Sequence, residues 1–228
     1  KYYGQPSKYS VEDSCISCAS LWGLQIDNHH DNRVCVWLGD LGRHLPYHEQ
    51  LHWRSYNIPP EGGVSETYFK RQILAQFTDS DRPEHVFKSK YKKLRSLSVE
   101  NLGWELLLPL NEDDVHHFDG LRIPSTNEQS DFDQLILGLT KIIIDSLNEK
   151  SLNKYIDETI RDDYKGSISR LEFVLKQQKL ENFEEHIQFL RKLQNLRSSS
   201  VAHRKGSNYR KIASDFEIGN KDLVSVFQ

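Results

Sequence analysis

From Ser130 to the end of the chain, apolar residues return at intervals of three and four, and this rhythm constrains the fold more than any other feature of the sequence. Phe132, Leu135, Leu139, Ile142 or Ile143 and Ser146 mark one long helix, with Ser130 as its expected N-cap. Ile168, Leu171 and Leu175 mark a second, and Phe183, Ile187, Leu190 and Arg197 a third that runs towards Val201. Gly206 interrupts the pattern, and 209–216 predicts a short final helix. A helix with a single apolar stripe cannot bury that stripe alone, so a series of them packs as an antiparallel bundle.

Ahead of this region the pattern is mixed. Residues 14–26 and 33–38 (RVCVWL) predict the two strands of a β-hairpin around the polar turn 27–32. Gly39-Asp40-Leu41-Gly42 ends the second strand, and Pro46 opens a short helical turn carrying Leu51 and Trp53. Two Pro and two Gly make 57–63 a loop. Ser65 is the expected cap of a helix whose stripe is Phe69, Ile73 and Phe77, with Val64 stapled to Phe69. Pro83 suits the first position of the next helix, which sets Phe87, Tyr91 and Leu94 on one face and Lys88, Lys90, Lys92, Lys93 and Arg95 on the other. Residues 104–108 read as a strand ended by Pro109, and the pattern turns purely helical at 123–130. The expected class is therefore α+β: a mixed domain over 1–124 with a β-hairpin, then a helical bundle over 125–228.

Composition narrows the partners and the compartment. Thirty Lys and Arg against 33 Asp and Glu give a formal charge of −3, so nucleic acid binding would have to come from a local patch. Ten Tyr, ten Phe and four Trp supply aromatic mass for a packed core. No apolar run approaches the roughly 18 residues of a membrane span, and residues 1–10 lack the apolar core of a signal peptide. Three Cys form no disulfide framework, which makes a reducing cytoplasm the expected compartment. With no Met anywhere, the sequence reads as a processed chain or a piece of a longer one.

The most informative chemistry lies in Leu196-Arg197-Ser198-Ser199-Ser200-Val201-Ala202-His203-Arg204-Lys205-Gly206, where an Arg and a His late in a helical domain are followed by cations. The pattern resembles the HEPN superfamily, small helical bundles of which many are metal-independent ribonucleases carrying an Arg, four to six residues, then a His. The resemblance covers about the last hundred residues. It implies Arg197 and His203 as the catalytic pair: His203 moves the proton of a 2′-hydroxyl while Arg197 neutralises charge developing on the phosphate. It further implies an RNA substrate held by Arg204, Lys205, Arg210 and Lys211, a homodimer that pairs the motifs, no cofactor and no metal, and a setting in bacterial stress response or antiphage defence. Ser198 stands where many family members have Asn. Six positions also separate the pair by about 120° on an ideal helix, so the pair converges only through a distorted helix or a second protomer. The alternative is a non-catalytic HEPN-like module for binding RNA, a nucleotide or a protein partner, in which Arg197 lays its stem on the core and pairs with a carboxylate.

The N-terminal half offers weaker constellations. Cys15-x-x-Cys18 with His29, His30 and Cys35 has the residue types of a zinc site, but Cys15 and Cys18 lie three apart on a strand and point to opposite faces. His44, His48 and His52 would share one helical face, and a hydrolase centred on them is a third reading. Asp40, Glu49 and Glu66, with Lys70, form no recognisable metal-nuclease motif. The stretch from Val36 through Trp53 to Pro60 is similar to segments of uncharacterised bacterial proteins, which carry no activity over.

Overall fold

In the computed structural model, which describes residues 1–30, 33–200 and 207–227, the chain divides into two units, Lys1–Ser89 and Lys90–Gln228. The first is built on a small antiparallel sheet of β1 (Ser10–Val11), β2 (Cys15–Cys18) and β3 (Trp22–Gln25), in that order. Ile16 on the middle strand faces Val11 on one side and Leu24 on the other. Strand alternation buries Ile16 and Cys18 and leaves Cys15 and Ser17 half-buried. Val11, Ile16, Leu24, Ile26 and Leu45 form the core, with Trp22, Val36, Leu41 and Trp53 packed on it.

The hairpin is displaced from the one expected. Both strands lie within 14–26 and turn at Ala19, whose φ is +46°. The β-rich run 33–38 contributes one antiparallel bridge, Asp27 to Cys35, and then enters α1 (Leu38–His44), so the glycines expected to end a strand sit inside a helix. Turning into α1 at Trp37 sets α1 against β3 and brings both Val36 and Leu41 to the core. α2 (Tyr47–Ser55) starts behind Pro46. α3 (Glu66–Tyr68) is capped as expected: Tyr68 N donates to Ser65 Oγ at 3.0 Å. It runs on as a π turn, Phe69–Ile73, and ends there. Phe77 therefore falls off the helix and is 93% exposed, and Phe69 and Ile73 stay exposed too. α4 (Pro83–Leu102) begins at Pro83, but Lys88, expected on a solvated face, is buried.

The second unit is helical: α5 (Val115–Asp119), α6 (Gln129–Thr140), α7 (Glu149–Leu152), α8 (Ser167–Gln177), α9 (Phe183–Ser200), α10 (Ser207–Ser214) and α11 (Leu223–Phe227). α9 packs on α6, α8 and α10, and α11 lies on α6. Phe132, Ile136, Ile142, Ile144, Leu152, Ile168, Ile187, Leu193 and Leu196 supply the buried stripes. Ser130 is not the cap of α6; the cap is Glu128, without a side-chain hydrogen bond, and Ser130 lies in the first turn. Residues 104–108 make no strand, only a bridge from Leu107 to Leu147. The division between units falls inside α4, ahead of the boundary expected near residue 124. The intervening α5 belongs with the bundle: it lies on α6 where Gly138 leaves room, since a Cβ there would come within 3.3 Å of His117 Nδ1.

α6 passes directly into a second π turn, Lys141–Asp145, closed by Ser146 Oγ donating to Lys141 O at 2.8 Å. No helix among the described residues is long and apolar enough to cross a membrane.

Candidate functional sites

In the helical unit, Leu193 and Leu196 hold α9 on the core, which leaves Arg197 on the rim at the last turn of the helix. Its Nη1 donates to both oxygens of Asp145, each at 3.0 Å. Asp145 is the last residue of the π turn, so that turn sets where the guanidinium points. Both side chains are partly exposed, so the pair contributes at most about 1 kcal/mol to stability. Asn195 and Ser198 on α9 and Lys211, Ile212 and Asp215 border an open cavity of about 340 Å³. A second open cavity, of about 280 Å³, is bordered by Lys165, Ser167 and Ser169 at the start of α8 and by Arg191 on α9. Of the expected catalytic and RNA-binding residues, the structure places Arg197 and Lys211 on neighbouring packed helices, α9 and α10. His203, Arg204 and Lys205, and the side chain of Arg210, lie outside the described residues.

The densest group of ionisable side chains is in the N-terminal unit, around Asp27. The Asp27–Cys35 bridge exchanges two backbone hydrogen bonds, Asp27 N to Cys35 O at 2.8 Å and Cys35 N to Asp27 O at 3.0 Å. It closes the 28–34 loop beside the end of β3. The Asp27 carboxylate is fully buried; Oδ2 accepts from Ser65 N at 2.6 Å, and Oδ1 accepts from Ser65 Oγ at 2.7 Å. The Asp27 carboxylate thus ties the hairpin end to the cap of α3. His29 lies between two carboxylates, with Nδ1 3.1 Å from Asp27 Oδ1 and Nε2 2.6 Å from Asp13 Oδ1. Burial alone would lower the His29 pKa, but the two carboxylates outweigh it and raise it. Burial likewise opposes the Asp13 charge, yet hydrogen bonds from His29, Arg71 and Ser80 hold that carboxyl well below its ordinary value.

Ser80, His29 and Asp27 stand in the order of a hydrolytic triad, with Ser80 Oγ 3.4 Å from His29 Nε2. The chemistry does not follow. Ser80 donates its proton to Asp13 at 2.8 Å, and both His29 ring nitrogens are engaged by carboxylates at closer range than Ser80 Oγ. This part of the group is a clamp between the 13–29 region and Ser65 and Ser80.

Close to it, His85 is buried with no hydrogen-bond partner for Nε2, and burial pushes its pKa down to about 4. Asp13, His29, Lys88 and Arg82 are the charges that act on it. The unfolded chain takes up this proton near pH 6.5 and the folded one only near 4. The sign is then fixed: the native state bears no penalty above about pH 6.5 and loses about 3 kcal/mol as the pH falls towards 4. His85→Leu is expected to remove this acid limb. Urea denaturation at pH 7.5 and pH 4.5 checks it, since the variant should gain on the wild type at the lower pH.

The other N-terminal candidates do not assemble. His44 ends α1, while His48 and His52 belong to α2, so Leu45-Pro46 breaks the shared face. His48 is exposed, and His52 meets the rings of Tyr2 and Tyr56 edge-on. Glu49 is buried and accepts from Lys1 at 2.5 Å, Tyr2 at 2.9 Å and Tyr9 at 3.0 Å, whereas Glu66 is an exposed partner of Lys70. Cys15 and Cys18 fall on alternate faces of β2 as expected. His30 and Cys35 do come together, and the residue that joins them is Asp27, which the sequence offers only as a turn residue.

No family model matches the chain, and no curated protein or solved structure matches it.

Proposed function

We propose that the C-terminal unit is a metal-independent endoribonuclease of the HEPN kind, with Arg197 binding the scissile phosphate and His203 as acid and base. The observation that carries the reading is the setting of Arg197. It sits on the rim of the bundle, one short segment before His203, and its described hydrogen bonds leave only from Nη1. A guanidinium pre-oriented in this way presents its remaining N–H groups to a phosphate at little entropic cost. In this reading Lys211, with Arg204, Lys205 and Arg210, holds the RNA backbone. In the HEPN kind two motifs pair across a dimer, so the active form in this reading is a homodimer. A cytoplasmic role in stress response or defence fits this activity.

The same ion pair supports the alternative. An Arg that meets both oxygens of one carboxylate also suits a structural role in a module that binds RNA, a nucleotide or a protein without cutting. Incubation of the purified chain with total tRNA and mixed RNA in EDTA separates the two. Cleavage by the wild type is expected to fall at least about a hundredfold in both Arg197→Ala and His203→Ala. Intact RNA with the wild type, or equal cutting by the variants, overturns the catalytic pair. Retained RNA binding with no cleavage assigns the binding module.

A further inference from the structure

We propose that Asp27, His30 and Cys35 form a binding site for a divalent cation of the Zn²⁺ class. A carboxylate oxygen, an imidazole nitrogen and a thiol sulfur from these three residues all lie within 4.8 Å of one another. The backbone builds the arrangement. The two hydrogen bonds of the Asp27–Cys35 bridge make these residues a directly opposed pair whose side chains leave the same face, and the loop they close returns His30 to that face. Ser65 fixes the Asp27 carboxylate from behind through two donors, as outer partners fix metal-binding carboxylates.

The contacts inside the group make sense around a cation and poor sense without one. His30 Nε2 lies 3.3 Å from Asp27 Oδ2, yet it is buried and makes no hydrogen bond. For bonds of about 2.0 Å, two ligands of a tetrahedral zinc stand about 3.3 Å apart. The spacing therefore fits two ligands sharing a metal, without the alignment of a hydrogen bond. Cys35 closes in from the same side and would lose its proton on binding.

The donor types select the cation. A thiolate beside an imidazole favours Zn²⁺ and its chemical stand-in Co²⁺ over Mg²⁺ or Ca²⁺, which take oxygen ligands. Three protein ligands leave a fourth position for water or an exogenous ligand, as in zinc centres that keep an open site. His29 stays out of the set, since Asp13 and Asp27 hold both its ring nitrogens. The loop carrying His30 is also restrained from its other side, where Arg82 Nη2 donates to His30 O at 2.6 Å.

The test uses the whole chain, stripped with chelator, reduced, and titrated with Co²⁺ alone. One Co²⁺ per chain with a thiolate-to-cobalt charge-transfer band, displaced by Zn²⁺, is the expected result. Cys35→Ser and His30→Ala should each weaken binding at least about a hundredfold, because even outer partners of a metal site are worth 10–100-fold. Cys15→Ala should leave it unchanged. A second measurement needs no variant: saturating Zn²⁺ should protect Cys35, but not Cys15, from alkylation, as read by peptide mass spectrometry. Absence of the charge-transfer band, its survival in Cys35→Ser, or alkylation of Cys35 unaffected by Zn²⁺ each overturns the site. None of these readouts depends on RNA cleavage, so the site stands or falls apart from the nuclease reading.

Discussion

Asp27→Ala is expected to destabilise the N-terminal unit by about 3–5 kcal/mol, the range for removing one partner of a buried charged pair. The carboxylate is fully buried and accepts from both the backbone and the hydroxyl of Ser65, while Asp27 and Asp13 together raise the pKa of the His29 held between them. Truncation leaves two Ser65 donors without an acceptor and withdraws one of the carboxylates that hold His29. It also frees the cap of α3 from the end of β3. Asn keeps the shape but replaces an acceptor by a donor, so Asp27→Asn should lose less than Ala and more than a surface change. Denaturation followed by tryptophan fluorescence checks this, because Trp22 and Trp53 pack on the affected core. The comparison belongs in chelator, where metal binding adds nothing to the folded state. A loss below about 1 kcal/mol would show that the Asp27 network does not hold the hairpin end to α3.

The second large effect lies in the bundle. Phe132→Ala should cost the C-terminal unit about 3–5 kcal/mol through lost burial and the cavity left behind. The ring is 1% exposed and meets Phe227 of α11 edge-on, centroids 6.0 Å apart at 81°. Phe132→Leu retains most of the volume and should lose less than half as much. Phe227→Ala should also be milder, because that ring is only half-buried. Amide exchange in α6 and α11 is the suitable readout, since loss of the ring should speed exchange there first. Unchanged protection would mean that α11 does not use Phe132 as its seat.

What the sequence made legible is what is encoded locally. The stripe of α9 and that of α6 repeat within one helix, and so does the information needed to see them; Ser65 and Pro83 likewise mark helix starts through their own chemistry. The failures share a different cause. Residues 33–38 have strand composition, but a strand needs a partner along its length, and here pairing is limited to the single Asp27–Cys35 bridge. Lys88 looks solvated by residue type alone and is buried by packing. At the candidate sites the same division holds. Arg197 stood out from its neighbours in sequence, whereas its partner Asp145 lies 52 residues away and carries no mark of its role. His30 and Cys35 are visible in the sequence as metal-binding types, but their spacing does not show that Asp27, rather than Cys15 or Cys18, lies beside them. Asp27 could be identified only from the register that sets it opposite Cys35.

The π turn that follows α6 makes the bundle a counter of residues. α5 and α8 both lie against Lys141–Asp145, and Ile142 and Ile144 are both buried although only one residue separates them. A helix hemmed in on two sides cannot slip to absorb an insertion or deletion. Removing one residue here would turn everything after it by about 100° around the axis and carry Asp145 off the line to Arg197. Residues 57–63, by contrast, are exposed throughout. Length variation among related chains should therefore gather in loops of that kind, while the span from Gln129 to Asp145 keeps its residue number even where its residue types drift.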